Sequence, residues 1–113
     1  MRKQDRKYAG ARSHHEAEVA ELAANRQLAA EYLKAAMESL GDPADRSAGL
    51  LALRSVAEAY GGLGAVAREA GISRESLYRA LSPNGNPTLK TLLAVLRTVG
   101  LRLSVASETD AAA

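Results

Sequence analysis

The chain has 113 residues, 47% of them hydrophobic and 25% charged, with a net charge of +2, which predicts one domain with a real core and excludes wholesale disorder. It has no Cys, which excludes disulfides, thiol nucleophiles and Cys-ligated zinc or iron–sulfur centres. No apolar run reaches the ~18 residues a membrane span needs and no signal-peptide pattern opens the chain, so a soluble, cytoplasmic protein with no membrane partner is expected.

Four Tyr are its only aromatic residues. Ala, Leu and Val must therefore fill the core, and an excess of Ala and Leu favours helix over strand. The expected fold class is all-α, with small side chains that let helices approach closely. The charge is segregated along the chain. Residues 1–15 hold five Lys/Arg and one Asp, a net +4; residues 16–46 are −4; residues 47–113 are +2. Such a balance permits nucleic-acid binding without demanding it.

Residues 1–15 contain Gly10 and show no apolar periodicity, which predicts a flexible basic arm. His14 and His15 are adjacent, so a helix would point them about 100° apart and they would not share a metal. A single domain is expected over 16–105. From Glu16 to Leu40 the pattern is helical: Val19, Leu22 and Ala23, then Leu28, Ala29, Tyr32, Leu33, Ala36, Met37 and Leu40, at three- and four-residue steps. Asn25 can cap a second helix, so this region is read as one helix or two. It stops by residue 41, at Gly41-Asp42-Pro43. Glu16, Glu18, Glu21, Glu31 and Glu38 give it an acidic outer surface. That surface is either a solvated helix face or a docking surface for a basic partner, with Glu31 and Glu38 as the candidate contacts.

The core of the domain is expected over 44–100. A helix at about 44–60 carries Leu50, Leu53, Ala57 and Tyr60 on one stripe with Val56 beside it. Gly61, Gly62 and Gly64 then punctuate the chain. Residues 63–82 follow with the pattern of two short helices joined by a tight turn. Ala67 is small where the helices must cross, and Gly71 stands where the chain reverses and positive φ costs Gly least. Val66, Ala70, Ile72, Leu77 and Ala80 are apolar at inward positions, and Ser73 is placed to cap the second helix. Arg74, Glu75, Tyr78 and Arg79 are left outside. Apolar behind and cationic in front is how the recognition helix of a helix-turn-helix is built. A purely structural hairpin or a protein-interaction module would share the inward pattern. The candidate DNA-binding residues are Arg68, Ser73, Arg74, Glu75, Tyr78, Arg79, Ser82 and Asn84. Arg74 and Arg79 are the candidates for base reading, and Arg68 and Tyr78 for phosphates.

Pro83-Asn84-Gly85-Asn86-Pro87 reads as a loop. Thr88 can cap a last helix with Leu89, Leu92, Leu93, Val95, Leu96 and Val99 inward, closing at Gly100. That makes five helices, or one more if Asn25 interrupts the first. Residues 101–105 alternate apolar and polar, the period of a strand. A lone strand has two unpaired edges, so it is expected to pair with a second copy across a two-fold axis through Leu101, Leu103 and Val105, or else to pack as an extended tail on its own domain. Residues 106–113 are expected to fray. No catalytic or metal-ligating constellation and no cofactor motif is present, so no enzyme activity is expected.

The runs Gly71–Thr88, Leu92–Arg97 and Gly100–Val105, with Ala29–Glu38 upstream, resemble the probable addiction-module antidote proteins. These are antitoxins of the HigA-like kind with a Cro/repressor-type helix-turn-helix, and the resemblance spans about 16–105. It implies a repressor-like fold and an antitoxin of a type II toxin–antitoxin pair. Such a protein would bind operator DNA as a homodimer, repress its own operon and neutralise a small basic RelE/ParE-like toxin. A Cro-like regulator with no toxin partner is the alternative.

Overall fold

In the computed structural model of the chain, residues 3–109 are described, with side chains from His14 onward. Asn25 decides how the N-terminal half is divided. Its backbone is extended, at φ −133 and ψ 96, and its side-chain oxygen accepts from the Leu28 amide at 3.0 Å. One of the free amides that begin a helix is thereby satisfied, so a new helix starts there. The 16–41 region is two helices, α1 (Lys3–Ala24) and α2 (Arg26–Ser39).

Four more follow: α3 (Arg46–Ala59), α4 (Gly62–Ala70), α5 (Arg74–Ala80) and α6 (Leu89–Thr98). The described residues therefore form an all-helical domain of six helices. Leu50, Leu53, Val56 and Ala57 of α3 lose all solvent exposure, α1 and α2 packing against one side and α4 and α6 against the other. Leu22, Leu33, Leu63, Val66, Leu77, Leu81, Val95 and Val99 complete one continuous core. Each fully buried Leu contributes roughly 1.5–3 kcal/mol of transfer free energy, so a core without Phe or Trp is sufficient for a domain of this size. Both α4 and α6 end in the same way. Gly71 and Gly100 turn left-handed, at φ 73 and φ 79, and the next residue's amide returns to the helix: Ile72 to the Ala67 carbonyl and Leu101 to the Leu96 carbonyl. Only Gly takes that φ cheaply, and the carbonyls at the helix end are satisfied.

Three expectations change. Residues 3–15 are not an arm without regular structure but the first turns of α1; apart from Gly10 they are helix-tolerant types, and one Gly costs a helix only ~1 kcal/mol. Residues 101–107 form no strand, and no strand occurs among the described residues. A strand exists only through ladder bonds, and a single chain offers this segment nothing to pair with. Leu89 is 59% exposed rather than inward, because it sits in the first turn of α6 beside its Thr88 cap, away from the core stripe. Ala23 is also exposed. The frayed tail expected over 106–113 lies outside the described residues from 110 onward, as do residues 1–2 of the arm. No helix among the described residues is long and apolar enough to cross a membrane.

The α2–α3 contact depends on a glycine. A Cβ on buried Gly49 would stand 2.9 Å from the Ala36 carbonyl oxygen and 3.1 Å from the Ser39 Cβ, so the helices meet backbone to backbone. Gly49→Val should lower stability by roughly 1–3 kcal/mol through overpacking. Gly64, in α4 with open space around it and no positive φ, should gain about 0.4–1 kcal/mol as Ala. Urea midpoints of the two variants check both signs; a Gly49→Val midpoint equal to wild type would contradict the close approach.

Candidate nucleic-acid interface

Helices α4 and α5 with the turn between them build the candidate site. Val66, Ala67 and Ala70 of α4 and Leu77 of α5 are buried, and small Ala67 and Ala70 keep the two axes close. Gly71 makes the turn, and Ser73 closes it. The Ser73 hydroxyl oxygen accepts from the Ser76 amide at 3.0 Å and lies 2.9 Å from the Ser76 hydroxyl. The same Ser73 side chain that the sequence offers for DNA contact is thus already engaged as the cap of α5.

With Leu77 pointing inward, the other side of α5 faces solvent. Arg74, Glu75, Tyr78 and Arg79 are all exposed, and the four line one concavity together with Glu58 and Leu63. Arg79 makes no ion pair with Glu75, and Arg74 has none either, among the described residues. Both arginines are exposed. Arg68 is exposed in the last turn of α4. Ser82 is half-buried and donates to the Tyr78 carbonyl at 2.7 Å, so its proton serves the end of α5. Asn84 is exposed in the following loop.

That loop is held rigidly. Arg46 of α3 donates to the Gly85 carbonyl at 3.3 Å and to Asn86 Oδ1 at 3.1 Å, and Ser47 donates to the Pro83 carbonyl at 3.0 Å. Gly85 is obligatory because a Cβ there would run into the Ala80 carbonyl. Two cations beside the interface escape a reading based on the two-helix motif alone. Arg54 of α3 lays its guanidinium over the Tyr78 ring, 4.7 Å from the centroid, a contact worth about 0.5–1 kcal/mol near the surface. Lys90 of α6 reaches the turn, its Nζ lying 3.0 Å from where a Cβ on Gly71 would stand. Neither belongs to the α4–α5 segment, and no local pattern announces a contact between residues so far apart in the chain.

A second concavity lies between α2 and the segment after α6. It brings together Glu31, Glu38, Leu101 and Leu103, with Ala30 and Met37 between them. Lys34 and Arg102 also line it, so the acidic face is locally balanced. Val105 stands outside it and is 96% exposed.

Residues 13–107 match the family described as "Probable addiction module antidote protein". The chain belongs to this family. The antidote family match covers α2 to α6 entirely and begins within α1. A curated but uncharacterized protein of Haemophilus influenzae is 46% identical over 56 residues, which make up 50% of this chain and 57% of that protein. No solved structure matches.

The cap of α5 gives a direct test of how the site is held. Ser73→Ala should cost ~1 kcal/mol of stability, and Ser73→Asp should recover most of it, since Asp caps as well as Ser. Thermal or urea unfolding checks the pair; equal stability of the Ala and Asp variants would show that Ser73 does not hold the helix start.

Proposed function

We propose that the chain is a DNA-binding antitoxin. In this reading it binds operator DNA as a homodimer, represses its own operon and neutralises a small basic toxin of the RelE/ParE kind. The DNA half rests on one observation: α5 is a capped helix whose outer side carries Arg74, Tyr78 and Arg79 with no internal charge partner, on a buried apolar back. A helix so presented fits a major groove, with its outward side chains toward base edges and phosphates. Arg74 and Arg79 are assigned to bases, where Arg contacts guanine at two points and Lys cannot copy the geometry. Tyr78 and Arg68 are assigned to phosphates. Glu75, Asn84 and the hydroxyls of Ser73 and Ser82 border the same surface.

The homodimer half rests on the segment after α6. Leu103 and Val105 are among the most exposed large hydrophobic side chains of the described residues, and the backbone of 102–107 has no ladder partner. A second copy of Leu101, Leu103 and Val105 related by a two-fold axis supplies both the missing bonds and apolar cover. The toxin half rests on membership of the antidote family and on Glu31 and Glu38 at the rim of the α2 concavity.

Arg74→Ala and Arg79→Ala should each lower the ratio of operator to random-sequence affinity, by ~1–3 kcal/mol per half-site at fixed salt. Arg68→Ala should weaken both duplexes alike and flatten the salt dependence. Both arginine variants keeping the wild-type ratio would remove base reading from α5. For the antitoxin half, the chain should co-purify with the product of an adjacent reading frame. Glu31→Lys with Glu38→Lys should weaken that capture several-fold at low salt while operator binding holds. Full capture by the charge-reversed chain would move the toxin contact elsewhere, and no captured product at all would leave a Cro-like regulator.

A further inference from the structure

We infer that the concavity between α2 and the segment after α6 receives the Val105 side chain of a second copy, which accepts Val105 of the first in return. The inference rests on the homodimer reading above and deepens it by naming the surface on each copy that takes up the other's chain.

Three observations carry it. The concavity is apolar inside, where Ala30 and Met37 of α2 are joined by Leu101 and Leu103. None of these four is fully covered in the single chain: Leu103 is 43% exposed, and the other three are half-buried. The second observation is an apolar side chain with no cover of its own. Val105 lies two residues beyond Leu103, outside the concavity, and is 96% exposed. The backbone of 102–107 has no ladder partner either.

One register answers both. An antiparallel pair about a two-fold axis at Leu103 sets Leu103 opposite Leu103, and Val105 of each copy opposite Leu101 of the other. Residues 101, 103 and 105 then share one side of the strand. Side chains directly opposite have their Cβ atoms ~4.5–5.5 Å apart. Leu101 lines the concavity, so the incoming Val105 is delivered to it, and the exchange is reciprocal.

The third observation is the charge at the same place. Glu31 and Glu38 stand with Lys34 and Arg102, and no ion pair joins any of the four among the described residues. A two-fold interface sets a surface against itself and must be self-complementary. Two acids and two bases meet that condition, whereas a uniformly basic partner would meet Lys34 and Arg102 as like charges. The occupant that suits both the apolar floor and the mixed rim is a second copy of this chain.

The test uses the full chain, which has no Cys, so that introduced thiols are its only ones. Met37→Cys and Val105→Cys are made separately, mixed, and treated with a short bis-maleimide. Each chain then carries one thiol, so any cross-link joins two copies. Covalent dimer should form in the mixture well above its level in either variant alone. In the stated register the two Val105 positions lie four residues apart along the strand, ~13 Å, beyond a short linker. Val105→Asp should weaken the dimer roughly tenfold or more by sedimentation, since each copy loses a buried valine. Val105→Ile should keep the dimer, and unchanged circular dichroism verifies the fold of both. A mixture that cross-links no more than the single variants, while wild type is dimeric, overturns the inference and leaves the strand pairing standing. A Val105→Asp dimer as tight as wild type also overturns it. So does shielding of Met37→Cys from maleimide by the adjacent-frame product while the chain stays dimeric, which assigns the concavity to the toxin. Wild type that is monomeric at every concentration overturns the homodimer reading itself.

Discussion

The burial of helix α3 is the constraint on which every other element depends. Leu50, Leu53, Val56 and Ala57 give it a fully buried stripe, and Gly49 lets α2 touch its backbone. Its polar residues serve the same end. Arg46 and Ser47 hold the 83–86 loop, Arg54 stacks on Tyr78, Glu58 receives His15, and the Tyr60 hydroxyl just beyond its end donates to the Leu22 carbonyl at 2.7 Å. A helix that only filled the core would need none of these contacts. They tie the N-terminal pair of helices and the α4–α5 unit to one rigid rod, so that surfaces built by separate stretches of chain keep a fixed mutual placement.

Helix α5 shows why that support is needed. It spans seven residues, Arg74–Ala80, and an isolated helix of that length does not form in water. Its existence is tertiary. Leu77 and, just past its end, Leu81 are buried against the core, Ser73 satisfies the Ser76 amide in its first turn, and the loop after it is pinned at Gly85. A short helix held at both ends presents its outer side chains with little backbone freedom. Binding then costs less ordering entropy than it would from a mobile loop.

Two concavities mark the surface. Each concavity mixes two acidic with two basic side chains: Glu58 and Glu75 with Arg74 and Arg79 on the α5 side, and Glu31 and Glu38 with Lys34 and Arg102 around an apolar floor on the α2 side. No lining residue is shared between the two concavities. The two concavities are therefore built from separate sets of side chains.

The all-α class, the possible break at Asn25, the left-handed Gly71, the helix stop at Gly100, and the caps at Ser73 and Thr88 were legible in residue order alone. Each depends on interactions within four or five positions, where propensity, capping and φ preference decide. The exposed set on α5 was legible for the same reason, since the helical period separates Leu77 from Arg74, Tyr78 and Arg79. What residue order could not provide was anything made across distance. Arg54 over Tyr78, Lys90 at the Gly71 turn, His15 on Glu58 and the joint placement of Glu38 with Leu101 all arise when elements distant in the chain pack together. The helical state of residues 3–15 also differed from the local reading, because an absent apolar stripe says that a segment is not buried, not that its backbone is irregular. The strand expected at 101–105 is not seen, for a different reason: its alternation is a local pattern, but a strand is defined by a partner, and a single chain does not contain one.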